Sequence, residues 1–196
     1  MLSLDDIELL FVRHGSAQYS GEPVTQLEHA LQTAYLAEQS DASDTLVAAC
    51  LLHDLGHLLN EQGETPTLRG VDDTHEYFAL PFLRGLFPAA VLDAIKLHVD
   101  AKRYLCQAND GYYAKLSEDS KRSLALQGGI FDAAEAAAFL ALAGAHDAVM
   151  LRQWDDLAKQ GGWRTPSLAH FMSRAAGCAL GAAAAGREPS AGDNRS

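Results

Sequence analysis

Apolar residues recur every three or four positions along most of the chain, and a short polar side chain precedes many of these stretches. This spacing is typical of amphipathic α-helices that bury one face. Ser3, Thr25 and Asp132 stand where helix N-caps are expected, because their side-chain oxygens can accept a backbone N–H of the first turn. No stretch shows the period-two alternation of a half-buried strand. We therefore predict an all-α fold, a single helical bundle of many short helices.

Several histidines and one aspartate lie at or near the boundaries of predicted helices. The helix that begins near residue 44 is predicted to continue through His53 and Asp54. Thr74 is predicted to cap a helix that opens with His75. A further helix is predicted over residues 89–98, so that a histidine lies at its end.

The chain shows no linker or internal repeat that would divide it. We expect one domain over residues 1–186 and a disordered tail at residues 187–196, which are polar and contain Pro and Gly. The start of the chain lacks the basic and apolar regions of a signal peptide. The Ala-rich stretch 133–145 is too short to span a bilayer and contains Glu135.

Charge and cysteine usage limit the partners. The formal net charge of -11 argues against nucleic acid and anionic membranes as partners, but a small anionic ligand needs only a local basic pocket. Cys50, Cys106 and Cys178 are scattered without a CxxC spacing, which is typical of reduced thiols in a cytoplasmic protein. The sequence does not indicate an oligomeric state.

One apolar stretch carries three polar side chains at His53, Asp54 and His57. In a continuous helix, His53 and His57 lie one turn apart and Asp54 projects to about the same side. Burying these groups without partners would cost on the order of several kcal/mol, so something must satisfy them. A hydrogen-bonded core pair would do so as well as a metal ion, and this stretch alone does not decide between them.

Further histidines and carboxylates lie on other predicted helices and complete a candidate ligand set. Nitrogen and oxygen donors without a thiolate suit iron, manganese or zinc, and ligand chemistry alone does not choose among them. Six protein ligands exceed what one catalytic metal takes with an open position, which favours two metals sharing one aspartate. The set is His29, His53, Asp54, His75, His98 and Asp155.

The order His29…His53-Asp54…Asp155 resembles the HD-domain superfamily, whose members are mostly phosphohydrolases. The two further histidines of the set resemble the members that hold two metals. Longer segments resemble a narrower family, the HD-domain mixed-valent di-iron oxygenases that cleave organophosphonates. These segments are residues 18–32, 53–57, 98–106, 117–121, 127–129 and 152–155.

The resemblance implies two iron ions, Fe(II) and Fe(III), held by the six ligands with Asp54 bridging, and O2 as co-substrate. It implies that Tyr19 ligates one iron until substrate arrives and that Glu22 meets the amine end of the substrate. His57 joins Tyr19 and Glu22 as a catalytic residue. The residues that would bind the substrate are Tyr19, Glu22, His57, Lys102, Ser120 and Arg152.

The implied reaction is O2-dependent cleavage of the carbon–phosphorus bond of a 1-hydroxy-2-aminoethylphosphonate-type substrate. The products would be phosphate and glycine, or glycine betaine from the trimethylamino analogue, and the residues do not decide between these amine ends. The alternatives are an HD-domain metal-dependent phosphohydrolase and a non-catalytic ligand-binding module. Tyr19 distinguishes the oxygenase from the phosphohydrolase, because a displaceable phenolate ligand suits oxygen chemistry and would block a water nucleophile. Individually, Tyr19 could be an ordinary loop aromatic, and Lys102 and Arg152 solvated surface charges.

Overall fold

The computed structural model describes residues 1–19, 21–60 and 66–181, and the expected tail at residues 187–196 lies outside them. The described part of the chain is built from helices and contains no β-strand, which confirms the all-α prediction. In chain order the helices are α1 (Leu4–His14), α2 (Gln26–Gln39), α3 (Asp44–Leu52), α4 (Leu55–Leu59), α5 (His75–Phe78), α6 (Leu80–Leu83), α7 (Ala89–Ala108), α8 (Tyr112–Lys115), α9 (Glu118–Leu126), α10 (Ala133–Leu140), α11 (Ala145–Leu157) and α12 (Leu168–Cys178), with a 3-10 turn at Pro66–Arg69.

The predicted N-caps are confirmed at three helix starts. Ser3, Thr25 and Asp132 each accept a backbone N–H from the third helical residue. At each start the carboxylate of that third residue accepts the N–H of the capping residue in return. Each such cap stabilises its helix by about 1 kcal/mol, so these boundaries are set by local sequence.

Helix α3 is the central element of the core. Its residues from Leu46 to Leu52 are all buried, and it packs against α2, α7 and α12. A helix that is apolar on all sides belongs inside a protein rather than at its surface. His53 and Asp54, which directly follow α3, therefore lie buried near the centre of the bundle.

The prediction that one helix continues through His53 and Asp54 is wrong. Helix α3 ends at Leu52 and α4 begins at Leu55, with Asp54 at φ −100° and ψ 13°. The break lets His53 and Asp54 meet side chains from other helices instead of following one helix face. Gly56 then allows α4 to approach α5, because a Cβ there would lie 2.2 Å from the carbonyl oxygen of His75.

Two other boundaries also differ from the prediction. Helix α7 runs from Ala89 to Ala108 and does not end at His98, because the residues that follow His98 are compatible with a helix. Thr74 precedes α5 but forms no side-chain cap, since its φ of 46° is left-handed. The carboxylates of Asp72 and Asp73 instead accept the backbone N–H groups of Thr74 and His75 at 3.4 and 3.5 Å.

Helices α10 and α11 meet at a sharp corner. Gly144 takes a φ of 82° there, and a Cβ on it would lie 2.8 Å from the Cβ of Asp93 on α7. Within the described ranges, no single helix has the length and hydropathy of a membrane span. Helices α10 and α11 pass such a test only when taken together, across a bend of 108°.

Candidate dinuclear metal centre and active site

Two groups of three side chains meet where α2, α3, α5, α7 and α11 converge. Within each group, one ligand atom per residue lies within 4.8 Å of the others. All six side chains are buried. The first group is His29, His53 and Asp155, and the second is Asp54, His75 and His98. The structure therefore brings together all six ligand candidates of the sequence.

Asp54 lies between the two groups, with one carboxylate oxygen toward each. Its Oδ2 lies 3.5 Å from Nε2 of His29 and 3.3 Å from Nε2 of His53. Its Oδ1 lies 3.3 Å from Nε2 of His75 and 3.8 Å from Nε2 of His98. A carboxylate placed in this way can bridge two cations, as expected for the shared ligand.

The histidines present their Nε2 atoms to the centre because Nδ1 is occupied elsewhere. In three of them, Nδ1 lies 2.7 to 2.9 Å from a main-chain carbonyl oxygen, which fixes the proton on Nδ1 and leaves the Nε2 lone pair free. These pairs are His29 with Ala158, His53 with Cys50, and His98 with Ile95.

The donor set fits metal ions better than it fits a hydrogen-bonded core. The Nε2 atoms of His29 and His53 lie only 3.3 Å apart, although each neutral ring carries its proton on Nδ1, where it donates to a carbonyl oxygen. Oδ2 of Asp54 and Oδ1 of Asp155 are buried without a hydrogen-bond partner among the described residues. Buried acceptors of this kind are costly when unpaired, and a cation between the imidazoles and carboxylates would satisfy them.

Electrostatics keep Asp54, Asp155 and His98 in the protonation states that bind metals, whereas the charge of Asp54 raises the pKa of His53 and of His75 as long as no cation is present. Burial alone would raise the pKa of Asp54, but the neighbouring His53 and His75 hold that pKa well below its usual value. The pKa of Asp155 is also held well below its usual value, since the charge of Arg152 outweighs burial. Burial, with the charges of His75 and His53, lowers the pKa of His98 and keeps its imidazole neutral.

A cavity of about 50 Å³ adjoins the second group. Its wall includes five of the residues predicted to bind substrate, together with four ligand candidates. Glu22 is not among the described residues that line it, so its contact with a substrate amine stays a prediction. The five residues are Tyr19, His57, Lys102, Ser120 and Arg152, and the ligand candidates are Asp54, His75, His98 and Asp155.

Lys102 is buried in the cavity wall and is not a solvated surface charge. Only 2% of the residue is exposed, and its Nζ donates to Oγ of Ser123 at 2.7 Å. Burial, aided by the charge of Arg152, lowers the pKa of Lys102 to about 7. Ser120 is buried beside it, one turn before Ser123 on α9. Lys102 and Ser120 can therefore both donate to an anion in the cavity.

Arg152 is also buried, and its charge is already paired with two carboxylates. Its Nη1 lies 2.9 Å from Oδ2 of Asp155, and its Nη2 donates to Asp156. The hydroxyl of Tyr112 donates to the other oxygen of Asp156. Arg152 therefore anchors a ligand candidate as well as lining the cavity, and its Nε has no hydrogen-bond partner in the described ranges.

Tyr19 covers the first group from the loop before α2. Its ring stacks on His29, with centroids 3.9 Å apart and planes at 14°. The loop is held by main-chain hydrogen bonds from Tyr19 N to Val24 O and from Glu22 N to Tyr19 O. Burial and the charges of Asp54 and Asp155 raise the pKa of Tyr19. A cation at the first group would oppose that rise and favour the phenolate.

Sequence reasoning missed three polar residues of the site. Asp73 contacts His57 and His75 in a third cluster of possible ligand atoms. Ser123 accepts from Lys102, and Asp156 pairs with an arginine one turn earlier. The only signal was proximity in sequence, since Asp73 lies two residues before a ligand candidate and Asp156 directly after one.

A family model for the HD domain matches residues 27–150 of the chain. The chain belongs to the HD-domain family. All the ligand candidates except Asp155 lie within the matched region of the HD domain, and Asp155 follows it closely.

The chain is also similar to individual HD-domain relatives over most of its length. It is 45% identical to the hydroxymethylphosphonate dioxygenase of Gimesia maris over 166 residues. This aligned region covers 84% of this chain and 82% of that protein. It is 39% identical to the [1-hydroxy-2-(trimethylamino)ethyl]phosphonate dioxygenase (glycine-betaine-forming) of Leisingera caerulea, with 83% of each chain covered. The uncharacterized protein L432 of Acanthamoeba polyphaga mimivirus is 33% identical over 76% of this chain and 69% of its own. The two dioxygenases confirm the resemblance to the phosphonate-cleaving oxygenase family.

Proposed function

We propose that this HD-domain protein is a di-iron dioxygenase that cleaves the carbon–phosphorus bond of a 1-hydroxyphosphonate with O2. The observation that carries the proposal is the position of Asp54, which turns one oxygen to each of two ligand groups beside a cavity with buried cationic side chains. Two relatives of high identity are named as dioxygenases of hydroxylated phosphonates. The nitrogen and oxygen ligands suit iron.

The chain's own residues account for binding and orientation of such a substrate. Lys102 and Ser120 supply donors to phosphonate oxygens, and Nε of Arg152 is a further unpaired donor. A hydroxyl and a phosphonate oxygen on adjacent atoms can chelate one metal, which fixes the reacting carbon in place. The mixed-valent Fe(II)/Fe(III) pair would supply activation of O2.

The cavity favours a small substrate. Its volume of about 50 Å³ holds about four water-sized groups. A one-carbon hydroxyphosphonate needs the least room of the candidate substrates, since the aminoethyl compound adds two heavy atoms and its trimethylamino analogue five.

The first test is phosphate release by the iron-loaded protein with and without O2. The substrates are hydroxymethylphosphonate, 1-hydroxy-2-aminoethylphosphonate and its trimethylamino analogue. We expect release that depends on O2, fastest from the one-carbon compound because it is the smallest of the three. Release that is equal without O2 would contradict the oxygenase and support the HD-domain phosphohydrolase, which would use the same metals to activate water. No release from any substrate by protein that holds two irons would also contradict the proposal.

Tyr19 provides the second test, because it separates the oxygenase from a hydrolase. Tyr19→Phe should leave both irons bound but remove the visible absorption that a phenolate ligand gives to oxidised iron. The measurement is the absorption spectrum of iron-loaded protein before substrate is added. Tyr113→Phe is the matched control, since this tyrosine is 45% exposed on α8. An unchanged spectrum in the Tyr19 variant would show that Tyr19 is not a ligand.

We further propose a cytoplasmic enzyme of one domain over residues 1–186 whose partner is a small phosphonate. The three cysteines are free, which agrees with a reducing compartment. The net charge of -11 disfavours nucleic acid and anionic membrane surfaces. A ligand-binding module without catalysis is the weaker alternative, because binding alone does not require a complete ligand set around a shared carboxylate.

A further inference from the structure

Asp73 joins two neighbouring histidines of the site. Its Oδ1 lies 2.8 Å from Nδ1 of His75, and its Oδ2 lies 3.0 Å from Nδ1 of His57. His75 is a ligand candidate, whereas His57 lines the cavity. We infer that Asp73 is a positioning residue that holds both imidazoles with the proton on Nδ1. Nε2 of His75 is thereby directed to metal and Nε2 of His57 toward the substrate side.

The three residues could be mistaken for a third metal site, because their nitrogen and oxygen atoms lie within 4.8 Å of one another. The distances from Asp73 are those of N–H···O hydrogen bonds. His75 directs Nε2 at Oδ1 of Asp54 at 3.3 Å, and an imidazole that binds metal through Nε2 carries its proton on Nδ1. The carboxylate therefore fits the acceptor of two N–H groups and not a third metal ligand.

The same carboxylate restricts rotation of both rings. The rings of His57 and His75 stack with centroids 4.2 Å apart and planes at 24°. If either ring turned over, it would lose its bond to Asp73 and present a carbon in place of Nε2. Nε2 of His57 also lies 3.8 Å from Oδ1 of Asp54, so one carboxylate orders the second ligand group and the adjoining cavity wall. This placement explains why an aspartate stands just before α5.

The neighbouring Asp72 provides a matched control. It has the same side chain one position earlier, but it is exposed and its Oδ1 accepts the backbone N–H of Thr74 at 3.4 Å. Asp73→Asn keeps the shape of the side chain, yet its amide offers one acceptor oxygen and one NH2 group. Only one of the two imidazoles can then keep its hydrogen bond, whereas Asp72→Asn leaves both intact.

The experiment measures metal affinity without substrate or turnover. Fe(II) is titrated anaerobically into metal-free wild type, Asp73→Asn and Asp72→Asn. We expect the affinity for the iron at the second ligand group, which contains His75, to fall about 10- to 100-fold in Asp73→Asn, as for other lost partners of metal-bound histidines, and to stay unchanged in Asp72→Asn. In parallel, ¹H–¹⁵N NMR of the histidine rings of the metal-free wild type should show a proton on Nδ1 of both His57 and His75.

The inference rests on the metal centre of the proposed function and not on its oxygen chemistry. Wild-type affinity in Asp73→Asn, or an Nδ1 that carries no proton on either histidine of the metal-free wild type, would overturn it whatever the enzyme does with O2. Reduced affinity in Asp73→Asn would support it even if no phosphonate were cleaved. If Asp73→Asn did not fold, as judged by circular dichroism, the wild-type NMR measurement would still decide.

Discussion

Asp54→Ala should remove both metal ions from the protein. Each of its oxygens faces one ligand group, so the substitution takes a charged ligand from both ions at once. It also leaves four imidazoles around the gap and only Asp155 as a nearby ligand carboxylate. We expect an affinity loss greater than the ~100-fold typical of a lost outer partner of a ligand, for each ion.

The measurement is metal content by elemental analysis after iron loading and dialysis. Asp110→Ala is the control, because Asp110 lies exposed between α7 and α8. An Asp54→Ala protein that keeps both irons would contradict the bridging role. A protein that keeps one iron would show that only one group depends on the shared carboxylate.

Phosphonate binding should weaken as the pH rises through about 7, because of Lys102. Burial lowers the pKa of Lys102 to about 7, so its amine is cationic below that pH and mostly neutral above it. A neutral amine loses the charge-assisted hydrogen bond to phosphonate. Such a bond contributes about 1.5–3 kcal/mol, which corresponds to a loss of about 10- to 100-fold in affinity.

Two variants separate this effect from titration of the phosphonate itself. Lys102→Arg keeps its charge at every pH tested, so its affinity relative to wild type should rise with pH. Lys102→Met should bind about 10- to 100-fold more weakly at pH 6 and approach the wild type above pH 8. The measurement is anaerobic calorimetry with hydroxymethylphosphonate. A constant ratio of the three affinities across this range would contradict the role of Lys102.

Much of the fold could be predicted from local sequence. The side chains of Ser3, Thr25 and Asp132 cap helices where they were expected, since capping depends on neighbouring residues. The break at His53 and Asp54 could not be predicted in this way, because neither Gly nor Pro marks it. The helix breaks there because Asp54 meets imidazoles from α2, α5 and α7. The spacing of apolar residues along the chain does not predict such contacts between distant helices.

The end of α7 was predicted incorrectly because a ligand residue was taken for a helix end. His98 lies in the middle of α7, and the helix stops at Asn109, before Gly111 with its φ of 91°. The longer helix places Lys102 one turn after His98. The ligand candidate and the buried cation therefore share one rigid element, which agrees with the resembling segment 98–106 and not with a helix that ends at His98.

The residues of the candidate metal centre could be predicted from the sequence, but the hydrogen bonds and ion pairs that hold them could not. The order of His and Asp residues identified all six side chains that converge. The roles of Asp73 and Asp156 depend on side-chain directions in the folded chain, and sequence spacing does not supply these directions. Glu22 lies in a segment that resembles the oxygenase family, yet it is not among the described residues that line the cavity.

The ligand candidates come from segments between His29 and Asp155, so the centre exists only when most of the chain has folded. A metal that binds the folded chain and not the unfolded chain adds its binding free energy to stability. Without metal, the folded chain must bury imidazoles and carboxylates around an unsatisfied centre. Metal shortage in a cell would then reduce the amount of folded protein as well as its activity, so that the supply of the cofactor also sets the lifetime of the enzyme.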